Sequence, residues 1–231
     1  MLRNCPLSLP AAVDFAVCQA AVLPRQAKSC SKSCRGFFLE ESLLIALDFE
    51  SEAIDTRPKY PPEPVGLAIY IDGGPPPKYM AWGHTEGNNC TKQEAYERLS
   101  QLLLIDSAEY IFHNAPFDCS ILEEKLYLSV PWERVHDTML QAFLLDPFGE
   151  LSLKPLAETH LGEPPTERDA VRDWLVSRGI CRANDKSWGA HISKAPASLV
   201  GPYAIGDVRK TLNLFKKFRV ELDRRSNLRG A

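Results

Sequence analysis

The sequence predicts an α/β domain, a mixed five-stranded sheet flanked by helices. Two observations carry that reading. Three short apolar runs, Leu43–Asp48, Val65–Ile71 and Tyr79–Trp82, follow one another with turn-rich text between them and read as an antiparallel meander. From Thr91 onward, helical periodicity alternates with shorter strand-like runs. A chain of 231 residues, 45% hydrophobic and 25% charged, has room for one substantial domain and an appendage.

The elements follow in order. Leu43–Asp48 is the first buried strand, and the domain is expected to begin at about residue 39, giving a 39–231 domain behind a 1–38 extension. Gly73-Gly74-Pro75-Pro76-Pro77 turns the second strand into the third. Thr91 with Glu94 three residues later forms a capping box for a helix to about Leu104. Its apolar face is Ala95, Leu99, Leu102 and Leu103. Glu109–His113 reads as the fourth strand, Phe117–Leu126 as a helix, and Arg134–Val135 as a short fifth strand. Further helices are predicted over Thr138–Leu145, Ser152–His160, Pro165–Arg178 and Ala204–Arg224.

The net charge of −3 conceals an asymmetry. Residues 1–40 carry five basic and two acidic side chains, residues 208–231 eight and two, and the middle fourteen and twenty-six. So acidic a middle is compatible with bound cations. Seven scattered cysteines without a Cys-x-x-Cys pair point to free thiols in a reducing compartment. No run approaches the ~20 apolar residues of a membrane span. Residues 1–38 read as a flexible extension, and their Arg/Ser-rich, acid-poor composition is also compatible with an organelle transit peptide.

Asp48-Phe49-Glu50 is the most informative local feature. Side chains two apart on a strand share a face, so both carboxylates emerge together at the end of a buried run. Unpaired carboxylates leaving a core are costly, and such a pair commonly holds a cation. Downstream stand Asn114-Ala115-Pro116-Phe117-Asp118, after the strand-like Tyr110-Ile111-Phe112, and Tyr203-Ala204-Ile205-Gly206-Asp207 on a helix. Four carboxylates without a nearby Cys/His set favour Mg²⁺ or Mn²⁺ over zinc. Tyr203 and Asp207 are one helical turn apart and share a face, beside an apolar stripe of Ile205, Val208, Leu212 and Phe215.

These three segments resemble the Exo I, Exo II and Exo III motifs of the DEDD family of 3′–5′ exonucleases, in its tyrosine branch. That branch has Tyr-x-x-x-Asp, and the position where the histidine branch needs His is Pro202. His136-Asp137-Thr138-Met139, Ser152-Leu153-Lys154-Pro155-Leu156-Ala157 and Trp188-Gly189-Ala190-His191-Ile192 resemble the proofreading domain of family A, phage-type DNA polymerases. The resemblance implies a ribonuclease H-like fold and a two-metal hydrolysis, the ions about 3.5–4 Å apart. Asp48, Glu50 and Asp207 then hold the ion carrying the nucleophile. Asp48 and Asp118 hold the ion facing the leaving 3′-oxygen, and Tyr203 orients the attacking water.

Asn114 either helps place the terminal nucleotide or is a turn-former that begins a helix. Phe49 and Phe117 either stack on terminal bases or belong to the core, and Trp188 either stacks on a base or packs on the sheet. Glu52, just past Asp-x-Glu, departs from the small hydroxyl residues usual there. The expected activity releases nucleoside 5′-monophosphates from the 3′ end of DNA, chiefly single-stranded, in the cytoplasm of a bacterial or phage-infected cell. A separate DNA polymerase is the expected partner, with no membrane. The alternatives are an RNase D-like exoribonuclease and a non-catalytic module that binds DNA or a polymerase.

Overall fold

The computed structural model describes residues 42–164 and 166–229. The predicted extension 1–38 lies outside the described residues. Strands β1 (Leu43–Ser51), β2 (Pro64–Ile71), β3 (Lys78–Ala81), β4 (Ala108–Phe112) and β5 (Val135–Asp137) form one five-stranded sheet in the order β3-β2-β1-β4-β5. β2 pairs antiparallel with β1 and β3, and β4 pairs parallel with β1 and β5. The mixed sheet predicted from the sequence is therefore present.

Alternation along the strands sorts two unlike faces. Ile45, Leu47, Phe49, Leu67, Ile69 and Tyr110 pack against helices α1 (Lys92–Leu103) and α2 (Ala115–Glu124). The opposite face carries Ala46, Ala68, Ala81 and Ile111, over which lie α5 (Thr166–Ser177) and α6 (Ala197–Arg229). Alanines there keep the sheet surface low, so α6 lies close across β1, β2 and β3. Helices α3 (Thr138–Leu145) and α4 (Leu153–Leu161) pack on the outer part of α6 around Leu214 and Phe218.

Two of the boundaries that differ from expectation do so for a clear physical reason. The sequence predicts that β1 closes at Asp48, but the strand continues to Ser51 because β2 goes on pairing with it. Glu50 stands opposite Gly66, and the register shifts only between Glu50 and Ser51. The sequence also predicts that α6 starts at Ala204. The helix starts at Ala197 and carries Pro202 inside it. A proline there costs one backbone hydrogen bond, and burial of Ala197, Val200, Ala204 and Val208 offsets that loss. Thr91 makes the predicted capping box with Glu94. Among the described residues, no helix is long and apolar enough to cross a membrane.

Candidate active site

The site is built at the end of β1. Asp48 lies opposite Ala68, itself opposite Tyr79, and Glu50 lies opposite Gly66, itself opposite Ala81. All six positions face α6 by strand alternation. The Tyr79 hydroxyl leans over Gly66 so closely that a Cβ at that position would sit 2.0 Å from it. Only glycine leaves room for a tyrosine beside Glu50. The Tyr79 hydroxyl donates to His84 Nε2 at 2.5 Å. That direction follows from the other ring nitrogen, because Nδ1–H donates to the Ala195 carbonyl at 3.0 Å. Burial lowers the His84 pKa and raises that of Tyr79, where Glu50 and Asp48 add to the effect. Both groups are therefore neutral. Ser193 donates to Glu52 at 2.9 Å, and the Ala197 N–H donates to the Glu86 carbonyl at 2.9 Å, so the start of α6 is tied to the loops after β1 and β3.

Asp118 arrives from the first turn of α2. Asn114 precedes that helix in a left-handed conformation, φ 68°. The carboxylate of Asp137 accepts the Asn114 and Ala115 N–H groups, each at 3.0 Å, and the Met139 N–H at 2.9 Å. One side chain thus caps α3 and seats the start of α2. Asp118, 2% exposed, accepts the Phe49 N–H at 2.9 Å. The β1–β4 pairing has ended by then, at Ala46 opposite Ile111. The carboxylate takes a ladder bond that no strand supplies.

Tyr203 and Asp207 descend from α6 onto the same place. Asp207 is buried and ion-paired with Lys154, from the first turn of α4. The Lys154 ammonium also lies 4.4 Å from the centre of the Tyr203 ring. Trp188 packs edge-on against Tyr203, ring centres 5.9 Å apart.

Burial dominates the electrostatics. It raises the Asp48 pKa to about 6 and, with the Asp48 charge, that of Glu50 to about 8, while Lys154 pulls both back. Asp118 is raised well above the usual carboxylate range, first by burial and then by Asp48. These groups therefore sense one another's charge, and all their donor atoms are oxygens. Such a set fits a hard divalent cation. Among the described residues, no three Asp, Glu, His or Cys side chains form a ready cage, and Asp207 is turned to Lys154.

The structure thus brings Asp48, Glu50, Asp118, Tyr203 and Asp207 together. Phe49 does not join them with its ring, which is buried at 4% exposure under the sheet, and no open face remains for a base. Its backbone N–H reaches the site instead. Phe117 is half-buried against the same core, Asn114 is exposed, and Trp188 is engaged with Tyr203. Sequence reasoning missed Gly66, Tyr79, His84 and Lys154. A glycine inside a strand marks a close approach, a signal that was available. Nothing local marked Tyr79 or His84.

Residues 37–223 match the family of DNA polymerase A-type 3′–5′ exonuclease domains. The chain belongs to that 3′–5′ exonuclease family. The DNA polymerase of Escherichia phage T5 is 28% identical over 148 residues, 61% of this chain but 17% of the polymerase. In fold, the chain resembles Trypanosoma brucei RNase D in its GMP complex, with TM-score 0.53 and 20% identity, over 75% of this chain and 49% of that one. It also resembles Brucella melitensis NrnC with bound Mg²⁺, with TM-score 0.51 and 18% identity, over 79% and 75%. These likenesses bear on the fold alone, a mixed five-stranded sheet flanked by helices.

Proposed function

We propose that the protein is a metal-dependent exodeoxyribonuclease that trims single-stranded DNA from its 3′ end and releases nucleoside 5′-monophosphates. The observation that carries this reading is the meeting of Asp48, Glu50, Asp118 and Asp207, all carboxylates and three of them buried, with Tyr203 beside them. Asp48, Glu50 and Asp207 would hold one divalent ion, and Asp48 with Asp118 a second. When bound, such ions lower the pKa of water and stabilise the charge of an in-line displacement. Tyr203 would donate a hydrogen bond that orients the attacking water. The Phe49 N–H fixes one oxygen of Asp118. Asn114, exposed at the start of α2, would help hold the terminal nucleotide.

The phage polymerase relative supports DNA as substrate and a polymerase as partner. The fold shared with RNase D supports the second reading, an exoribonuclease using the same carboxylates. The two separate on the 2′-hydroxyl. Matched 5′-labelled single-stranded DNA and RNA, incubated with Mg²⁺ and then with chelator, decide between them. A descending ladder on DNA that chelator abolishes is expected. A ladder on RNA alone would move the assignment to the exoribonuclease, and cleavage of circular DNA would show an endonuclease.

A further inference from the structure

We propose that Lys154 is an internal counter-ion of the carboxylate centre, holding Asp207 in competition with the divalent ion. The inference rests on the reading of these carboxylates as ion ligands, and it adds a residue to which the family motifs gave no role. Lys154 stands in the first turn of α4, whose Leu153, Leu156 and Ala157 are buried, so the base of its side chain is anchored. Its ammonium is largely buried, ion-paired with Asp207, and 4.4 Å from the Tyr203 ring centre, within cation–π range. Both neighbours belong to the Tyr-x-x-x-Asp motif. The same charge lowers the proton affinity of Asp48 and Glu50, so it is felt at β1 as well.

Buried carboxylates without a counter-charge are strongly destabilising. Lys154 supplies one positive charge to a centre of four acids. A divalent ion supplies two and takes oxygen ligands directly, so it competes with the ammonium for Asp207. Removing the amine therefore has two opposite effects: the ion-free fold weakens, and the ion binds more tightly. A lysine that held substrate phosphate without touching Asp207 would change neither.

The test is calorimetric titration of Mn²⁺ alone into the full-length wild type, Lys154→Met and Lys154→Arg, with melting of each in EDTA. Loss of a charge-assisted contact of ordinary strength predicts Mn²⁺ binding tighter by about ten-fold in Lys154→Met. That variant also melts below wild type in EDTA, and Lys154→Arg stays near wild type in both. If Lys154→Met does not fold, Lys154→Gln removes the same charge and carries the same expectation. Unchanged or weaker Mn²⁺ affinity in the uncharged variant, with wild type binding normally, overturns the competition alone. Failure of wild type to bind Mn²⁺ overturns the ion-ligand reading, and this inference with it.

Discussion

Asp48 and Asp207 reach the site from opposite layers, one from the sheet and one from α6. As proposed ion ligands, neither has a substitute. Asp48→Ala and Asp207→Ala are expected to be the most damaging changes, with Asp118→Ala close behind. Tyr203→Phe deletes one orienting hydrogen bond and is expected to slow hydrolysis by about 10²-fold or less. Rates on short single-stranded DNA, with circular dichroism confirming the fold, check the ranking. Near-wild-type rates in folded Asp48→Ala or Asp207→Ala would sink the ligand assignment. Gly66 makes a different demand. Its missing side chain is what Tyr79 occupies, so Gly66→Ala forces the ring to move. Overpacking of that kind costs about 1–3 kcal/mol, and urea denaturation measures it. A Gly66→Ala variant as stable as wild type would show that Tyr79 shifts freely.

Helix placement depends on a few polar devices. Asp137 caps α3 and receives the first N–H groups of α2. Loss of a helix cap costs about 0.5–2 kcal/mol, and Asp137→Ala removes support from two helices. Destabilisation of about 2 kcal/mol is expected from its urea midpoint, and a change near zero would assign the seating to packing alone. The basic residues of α6 are also committed to the fold. Lys216 pairs with Asp72 at 2.7 Å, Arg219 with Glu109 at 3.1 Å, and Arg225 donates to the Leu145 carbonyl at 2.6 Å. Lys210 is buried. A string of cations that reads as a phosphate-facing or solvated helix is in large part a set of ties to the sheet and the neighbouring helices.

The buried acids set the pH response of the entire domain. Asp48 and Glu50 have folded pKa values above their ordinary ones, so the folded chain holds protons that the unfolded chain releases. Their contribution to stability is lost as pH rises through about 6 and about 8 respectively. His113 runs the other way. Burial holds it down to about 4, so its contribution falls as pH drops below its ordinary value of 6.5. Below 6.5 the two effects oppose each other, and above it the Glu50 term remains. In EDTA the melting temperature is therefore expected to fall between pH 6.5 and 8, and Mn²⁺ is expected to remove that fall. A flat profile in EDTA would contradict the burial of these acids. A chain beginning at Phe38 is expected to fold and hydrolyse short DNA as the full chain does, since residues 1–38 carry no chemistry-bearing motif.

Much of this was legible in the amino-acid order, because it depends on short-range rules. Strand alternation put Asp48 and Glu50 on one face, and helical spacing did the same for Tyr203 and Asp207. The Thr91 capping box started α1 where expected. What the order of residues left open depends on partners distant in the chain. Whether β1 stops at Asp48 was settled by β2, whether Pro202 breaks α6 by the sheet beneath it, and the fate of the Phe49 ring by α1 and α2. Lys154 stands in a run that resembles the proofreading domain, but nothing in the run gives it a role. It became part of the centre because α4 packs on α6 and aims it at Asp207, and burial there makes one charge matter.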